Sequence, residues 1–183
     1  MTSSYDRNAS FKVEAFDRIY RNGDGEDWPV RIYQPQGAGP FPVLVDVHGG
    51  AWSSSGGHSM MLSALRFDDP KYAADPVPGG ENRDASLRYA MTGWPVLDSH
   101  ARYLYAKASG VARLIEPSEA YFPDEAAMKE GSPQQSLEPG DFSALPPMLI
   151  LQGTKDDNVP LGISENFVET YRAKGGDVER ILF

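Results

Sequence analysis

Two short stretches of the sequence hold the residue types that could do chemistry, and the first is a loop rich in glycine and serine. This loop, residues 48–57 (HGGAWSSSGG), follows a predicted strand and precedes a predicted helix. Glycines let the backbone approach a ligand and aim N–H groups at an anion, and a helix N-terminus adds further N–H donors. The pattern is compatible with an anion-binding loop, but the alternative, a loop that only turns the chain, is the commoner case for glycine-rich loops.

The second stretch, residues 153–160 (GTKDDNVP), follows a predicted buried strand and carries two adjacent carboxylates, Asp156 and Asp157. In open α/β sheets, ligands bind at the carboxyl ends of the strands. One of these carboxylates could therefore orient a histidine, in the way that a triad acid fixes an imidazole. The alternative is an Asp-rich turn that caps the next helix.

Three histidines are candidates for a general base, which a serine hydroxyl needs in order to act as a nucleophile. His48 lies in the glycine-rich loop and is expected to brace it, and His58 is expected to pack under the turn at the start of a helix. His100 lies in the middle region. Each is more often structural than catalytic, and the absence of HExxH or His-x-His spacing argues against a metal site.

Composition limits the classes of protein that this chain can belong to. The 183 residues, 40% of them hydrophobic and 23% charged, suit one globular domain over residues 1–183 with a real core. The net charge of −9 disfavours a nucleic-acid partner. Cysteine is absent, which excludes disulfides, thiolate metal sites and a cysteine nucleophile.

The sequence predicts no membrane-spanning helix, because no apolar run approaches the length that such a helix needs. The polar N-terminus lacks the apolar region of a secretory signal. These two observations give a cytoplasmic location as the expectation.

The elements that must position the two loops begin with strands. Residues 12–34 alternate apolar and polar side chains around Asn22-Gly23, which predicts a hairpin. Residues 42–47 are mostly apolar and β-branched, as in a strand buried on both faces of a sheet. Further strands are predicted at 87–96, at 148–151 and from 178 onward.

Helices are predicted between these strands, over 60–66, over 163–174, and in two pieces within 99–131 that break at Pro117 and Pro123. The alternation predicts an α/β class with a mostly parallel sheet. The segment 99–131 could form a cap over a site, since it is rich in aromatic residues, although the same side chains could equally be core. These aromatic residues are Tyr103, Tyr105, Tyr121 and Phe122.

Three blocks, taken together and in this order, resemble an α/β-hydrolase of the esterase/lipase superfamily, close to the hormone-sensitive-lipase-like and prolyl-oligopeptidase-like serine hydrolases. The blocks are VLVDVHGGAW at 43–52, SSGGH at 54–58 and MLILQGTKDDNVP at 148–160. The resemblance implies an α/β-hydrolase fold and a serine hydrolase that cleaves a small carboxylic ester through an acyl-enzyme. It implies no cofactor and leaves the oligomeric state open.

By this resemblance, Ser55 is the nucleophile, because Ser55-Gly56-Gly57 matches S-x-G, and Asp156 is the triad acid with Asp157 as second choice. The resemblance also implies oxyanion donors and a supporting loop around them. The donors are the backbone N–H groups of Gly50, Ala51 and Gly56, and the supporting residues are His48, Gly49 and Trp52.

The sequence also departs from the family pattern. A nucleophile elbow needs its own strand directly before the serine, yet no strand fits between Trp52 and Ser55, and position 53 is serine rather than glycine. This resembles an internal deletion near residues 52–54. The family's catalytic histidine follows the last strand, whereas this sequence ends at Phe183.

These departures give three expectations. The fold is incomplete between the oxyanion loop and the nucleophile, turnover is impaired or absent unless His58 or His100 substitutes as the base, and stability is marginal or the chain self-associates. The first alternative is a non-catalytic α/β scaffold that keeps the loop. The second, a nucleotide-binding domain, is disfavoured because neither phosphate-binding glycine motif is present.

Overall fold

The computed structural model describes residues 8–23, 26–37, 39, 41–47, 49, 56–72 and 84–183. The chain divides into two compact units, Met1–Asp46 and Val47–Phe183. No helix within the described ranges is long and apolar enough to cross a membrane.

The first unit contains the predicted hairpin. Strands β1 (Val13–Gly23) and β2 (Glu26–Pro35) pair in antiparallel fashion, with Val13 opposite Pro35. A bidentate ion pair joins the two strands, since Arg31 donates to both carboxylate oxygens of Asp17 at 2.8 and 3.0 Å. The hairpin prediction is therefore confirmed.

Residues 42–47, predicted as a strand buried on both faces, do not form one. The segment has no strand assignment, and Val43, Leu44 and Val45 are 88%, 87% and 72% exposed. A strand exists through its hydrogen bonds to a neighbouring strand. In the described part of the chain no strand pairs with this segment, so its apolar pattern alone does not make it one.

The second unit is a parallel sheet with helices between its strands. The strands are β3 (Ala90–Gly93), β4 (Met148–Gln152) and β5 (Val178–Leu182), in the order β3-β4-β5. The helices are α1 (Gly56–Leu65), α2 (Ser99–Ser109), α3 (Ala112–Tyr121), α4 (Glu125–Glu130), α5 (Pro133–Leu137) and α6 (Leu161–Ala173). The predicted mixed α/β class is confirmed.

The core lies on one face of this sheet. Alternate residues of the strands point to that face, namely Ala90, Met148, Ile150 and Val178. They pack with side chains from α1 and α6, among them Met61, Leu65, Phe167 and Tyr171, which are all fully buried. Each such side chain stabilises the fold by about 1.5–3 kcal/mol.

The helical region differs from its prediction in where it breaks. Helix α2 begins after Asp98, whose carboxylate accepts from Ala101 N at 2.9 Å, and ends at Gly110, which has a left-handed φ of 66°. Helix α3 then continues through Pro117, so the predicted break there is wrong, whereas the break at Pro123 is confirmed. Glycine supplies the left-handed end that stops α2. Helix α3 accommodates Pro117 although a proline inside a helix removes one N–H and crowds the preceding turn.

Candidate active site at the carboxyl ends of the parallel strands

The Asp156 carboxylate is fixed at the carboxyl end of β4, the central strand. Its Oδ1 accepts the backbone N–H groups of Asn158 and Val159 at 2.9 and 3.0 Å. Its Oδ2 accepts the side-chain amide of Gln152 at 3.1 Å. The turn that follows β4 thus holds this carboxylate in one orientation.

The amide of Gln152 belongs to a buried chain of hydrogen bonds behind Asp156. Gln152 is fully buried, and its Nε2 also donates to Val159 O at 2.9 Å. Its Oε1 accepts from the hydroxyl of Ser164, which in turn accepts from Arg180 Nη1 at 3.0 Å. Sequence reasoning missed Gln152, although a polar residue that ends an apolar strand beside a candidate acid was the available signal.

Two arginines from the predicted cap segment bind the same turn. Arg102 Nε, on α2, donates to Asn158 O at 2.7 Å, and Arg113, on α3, donates to Asp157 Oδ2 at 2.8 Å. Burial lowers the pKa of Arg102 to about 10, the charge of Arg113 acts in the same direction, and Asp156 opposes it. The helices between β3 and β4 therefore help to shape the turn.

The two adjacent carboxylates occupy different environments. The Asp157 side chain is 80% exposed and forms a surface ion pair with Arg113. Asp156 is partly buried, and its hydrogen bonds come from two backbone N–H groups of its own turn and from the side chain of Gln152 at the end of β4. Only Asp156 borders the cavity next to this turn.

That cavity, of about 490 Å³, opens at the carboxyl ends of the three strands, and this volume lies within the usual range for small-molecule sites. It is lined by aromatic side chains that follow β3 and β5 and by polar groups of the turn after β4, which holds Asp156 and is called the acid turn below. The lining residues are Trp94, Gly153, Thr154, Lys155, Asp156, Asn158 and Phe183. Sequence reasoning did not single out Trp94 or Phe183.

Helix α1 brings the start of the second sequence block against the end of β3. A Cβ built on Gly57 would lie 2.8 Å from Thr92 Oγ1 and 3.4 Å from Pro95, so this close approach requires glycine. Gly56, a predicted oxyanion donor, is the buried first residue of α1. The N-terminus of α1 therefore lies near the end of β3, which Trp94 directly follows.

Most of the other predicted site residues lie outside the described residues. These are the nucleophile Ser55, the oxyanion donors Gly50 and Ala51, and the supporting residues His48 and Trp52. Gly49 is described and is exposed. Their roles stay predictions.

The two described histidines are engaged away from Asp156. His58 is 3% exposed, its Nε2 is hydrogen-bonded to Gly131 O, and burial lowers its pKa. His100 Nε2 lies 3.1 Å from the carboxylate of Glu125. Within the described ranges, the hydrogen-bond partners of the Asp156 carboxylate do not include an imidazole.

No protein-family model matches the chain, and no curated protein matches it either. Solved structures of esterase Est2 from the planctomycete Thermogutta terrifontis are similar to it in part. The propionate-bound form is 23% identical with a TM-score of 0.48, and the butyrate-bound form is 24% identical with a TM-score of 0.47. These matches cover 70% of this chain but only 41% and 42% of those chains.

Proposed function

We propose that the chain is a serine hydrolase of the α/β-hydrolase type that cleaves a small carboxylic ester through an acyl-enzyme. Within that superfamily, the sequence blocks favour the hormone-sensitive-lipase-like or prolyl-oligopeptidase-like groups. The observation that carries the proposal is the Asp156 carboxylate, which three donors hold at the carboxyl end of β4 beside a cavity. A triad acid needs such a fixed orientation to hold an imidazole.

In this proposal, Ser55 Oγ attacks the ester carbonyl and gives up its proton, the alcohol leaves with a proton, and water then releases the acid from the acylated serine. The N–H groups of Gly50, Ala51 and Gly56 stabilise the negative charge on the carbonyl oxygen. The loss of one such donor typically costs about 10²–10³ in rate. Asp156 Oδ2 accepts from Gln152, and a carboxylate oxygen can accept a second donor such as an imidazole N–H.

The proposal includes impaired turnover. His58 is buried against Gly131 O and His100 is paired with Glu125, so neither described imidazole is positioned by Asp156. The oxyanion and nucleophile blocks also adjoin near residues 52–54 without a strand between them. Without an oriented base a serine hydroxyl is a weak nucleophile, so the proposal expects slow turnover.

The same observations support a second candidate, a non-catalytic α/β scaffold that keeps the loop and the cavity. We also propose that residues 99–131 cap the site, since Arg102 and Arg113 from this segment bind the acid turn. In both cases the partner is a small molecule.

Hydrolysis of p-nitrophenyl acetate by the 183-residue chain separates these candidates, with Ser55→Ala as the test variant. Ser54→Ala is the matched control, because Ser54-Ser55-Gly56 also fits S-x-G. The hydrolase proposal expects slow turnover that Ser55→Ala abolishes and Ser54→Ala retains. Equal rates in the parent and both variants would favour the scaffold, and loss in Ser54→Ala alone would move the nucleophile to Ser54.

A further inference from the structure

Two solvent-exposed aromatic side chains, Trp94 and Phe183, line the cavity beside Asp156. Trp94 follows β3 and Phe183 follows β5, and their ring centroids lie 5.7 Å apart with the planes at 82°. Trp94 is 55% exposed and Phe183 is 63% exposed. The two rings meet edge to face at nearly a right angle and form an aromatic corner, which can make edge-to-face or stacking contacts with a third ring.

The backbone of the sheet holds this aromatic corner in place. Trp94 N donates to Leu151 O at 2.9 Å, and Phe183 N donates to Gln152 O at 3.2 Å. Phe183 O accepts from Thr154 N at 2.7 Å. The backbone of both aromatic residues is therefore fixed before any ligand arrives, which lowers the entropy that binding would cost.

The backbone of Trp94 is also strained. Its φ is 49°, in the left-handed region that favours glycine, and no other non-glycine residue in the described ranges has a positive φ. A tryptophan there costs stability, and its indole recovers little by burial because half of it is exposed. Residues kept in such conformations cluster at binding and catalytic sites.

The floor of the corner is open because Gly153 has no side chain. A Cβ built on it would come within 3.6 Å of Trp94 Nε1, so a larger side chain would enter the space beside the indole. The remaining walls are polar, from Thr154, Lys155 and Asn158. The cavity thus offers one aromatic end and one polar end.

We propose that the aromatic corner binds the aromatic ring of a substrate, so that the preferred esters carry a benzyl or aryl group. The substrate class rests on the proposed ester hydrolysis, whereas binding of the ring does not. An aromatic contact of this kind changes affinity by about threefold to tenfold.

Binding is tested with two amides, which lack the ester bond that the proposed reaction cleaves. N-benzylacetamide and N-ethylacetamide are titrated into the 183-residue chain, and binding is followed by NMR. We expect the benzyl compound to bind at least about threefold more tightly, Trp94→Gly to remove this preference, and Trp94→Phe to retain most of it. Tyr105→Ala, at an exposed aromatic of α2, is the control and should bind as the parent does.

Trp94→Gly also tests whether the indole is only structural. Because glycine relieves the left-handed strain, this variant should melt within about 3 °C of the parent while losing the benzyl preference. A parent chain without that preference, or an unchanged preference in Trp94→Gly, would overturn the proposal.

Hydrolysis of benzyl acetate and ethyl acetate separates this inference from the proposed function, since the two alcohols are leaving groups of similar basicity. Benzyl preference in binding without hydrolysis of either ester would refute the hydrolase and keep the aromatic corner. Hydrolysis of both esters with equal kcat/KM in the parent and in Trp94→Gly would keep the hydrolase and refute the aromatic substrate class.

Discussion

The Asp156 carboxylate depends on a neutral amide that is buried beneath it. Gln152 donates from one end to Asp156 and Val159 O and accepts at the other end from Ser164. Because each group is satisfied, the network adds rigidity to the turn without a buried unpaired charge. The orientation of the candidate acid is thus set from inside the fold as well as by its own turn.

Replacing Gln152 by leucine should destabilise the protein and loosen this turn. The change removes the side-chain donor of the buried Val159 O and one of the partners of the Ser164 hydroxyl, which costs about 1–3 kcal/mol. Urea unfolding measures the loss. Gln36→Leu, at an exposed position of the first unit, should change stability by less than about 0.5 kcal/mol. Equal effects of the two substitutions would contradict the role given to Gln152.

Acid should weaken the protein through His58. Burial lowers its pKa in the folded state below the ordinary 6.5, so the unfolded chain takes up the proton first as the pH falls. The stabilising effect is therefore complete above pH 6.5 and declines below it. Urea midpoints between pH 7.5 and 5 should fall in the parent and in His100→Gln, and should fall less in His58→Gln. An identical decline in all three chains would refute this.

At the residue scale, the sequence predicts a functional residue when its position and partners depend on residues nearby in the chain. Asp156 follows from its position after a strand, and its main-chain donors lie two and three residues away. Gln152 was missed although it is a polar residue at the end of an apolar strand beside the candidate acid. Trp94 was missed because its left-handed backbone conformation has no signal in the sequence.

Among the elements, helix α1 packs closely against β3 at Gly57, where the absence of a side chain allows the contact. A Cβ there would lie 2.8 Å from Thr92 Oγ1, closer than real Cβ contacts, so the helix or the strand would have to shift. The approach places the start of α1 at the carboxyl edge of the sheet, where the candidate nucleophile precedes it in sequence.

Gly57→Ala should therefore destabilise the fold by about 1–3 kcal/mol through overpacking. Gly162→Ala is the matched control, because Gly162 lies in helix α6 and a Cβ there meets nothing within 4 Å. The control should be neutral or more stable by up to about 1 kcal/mol, since alanine favours helices. Thermal melts compare the two, and a Gly57→Ala protein as stable as the control would contradict the packing argument.

Elements were predicted well where their signal is local. The hairpin, α1, β4 and α6 each carry their own periodicity or turn residues, and the structure contains them. The strand predicted at 42–47 failed because pairing, rather than composition, makes a strand. The sequence predicts a helix break at Pro117, but α3 runs through this residue. The break lies instead at Gly110, whose left-handed backbone ends α2.

On the scale of the whole molecule, the parallel sheet is covered unequally. Helices α1 and α6 pack on one face, while Met91 and Ile181 on the other face are 56% and 42% exposed. Parallel sheets are ordinarily buried on both faces. Within the described residues, these exposed apolar side chains favour association.

The 183-residue chain should therefore self-associate reversibly, with a sedimentation coefficient that rises with concentration. Met91→Glu and Ile181→Glu together should reduce this association, because two charges would have to be buried. Leu104→Glu, at an exposed apolar residue of α2, should have little effect. A monomer at every concentration, together with a cooperative melt at high temperature, would contradict the expectation.

The most direct test of the account compares Asp156→Asn with Asp157→Asn in the hydrolysis of p-nitrophenyl acetate. The quantity compared is the Ser55-dependent rate, which is the rate of each chain minus the rate of Ser55→Ala. The two substitutions are chemically identical and one residue apart, but only Asp156 is held by Gln152 and the turn. The account predicts that Asp156→Asn lowers this rate by about tenfold or more and that Asp157→Asn leaves it within about twofold. Equal effects of the two substitutions, or a parent rate no greater than that of Ser55→Ala, would contradict it.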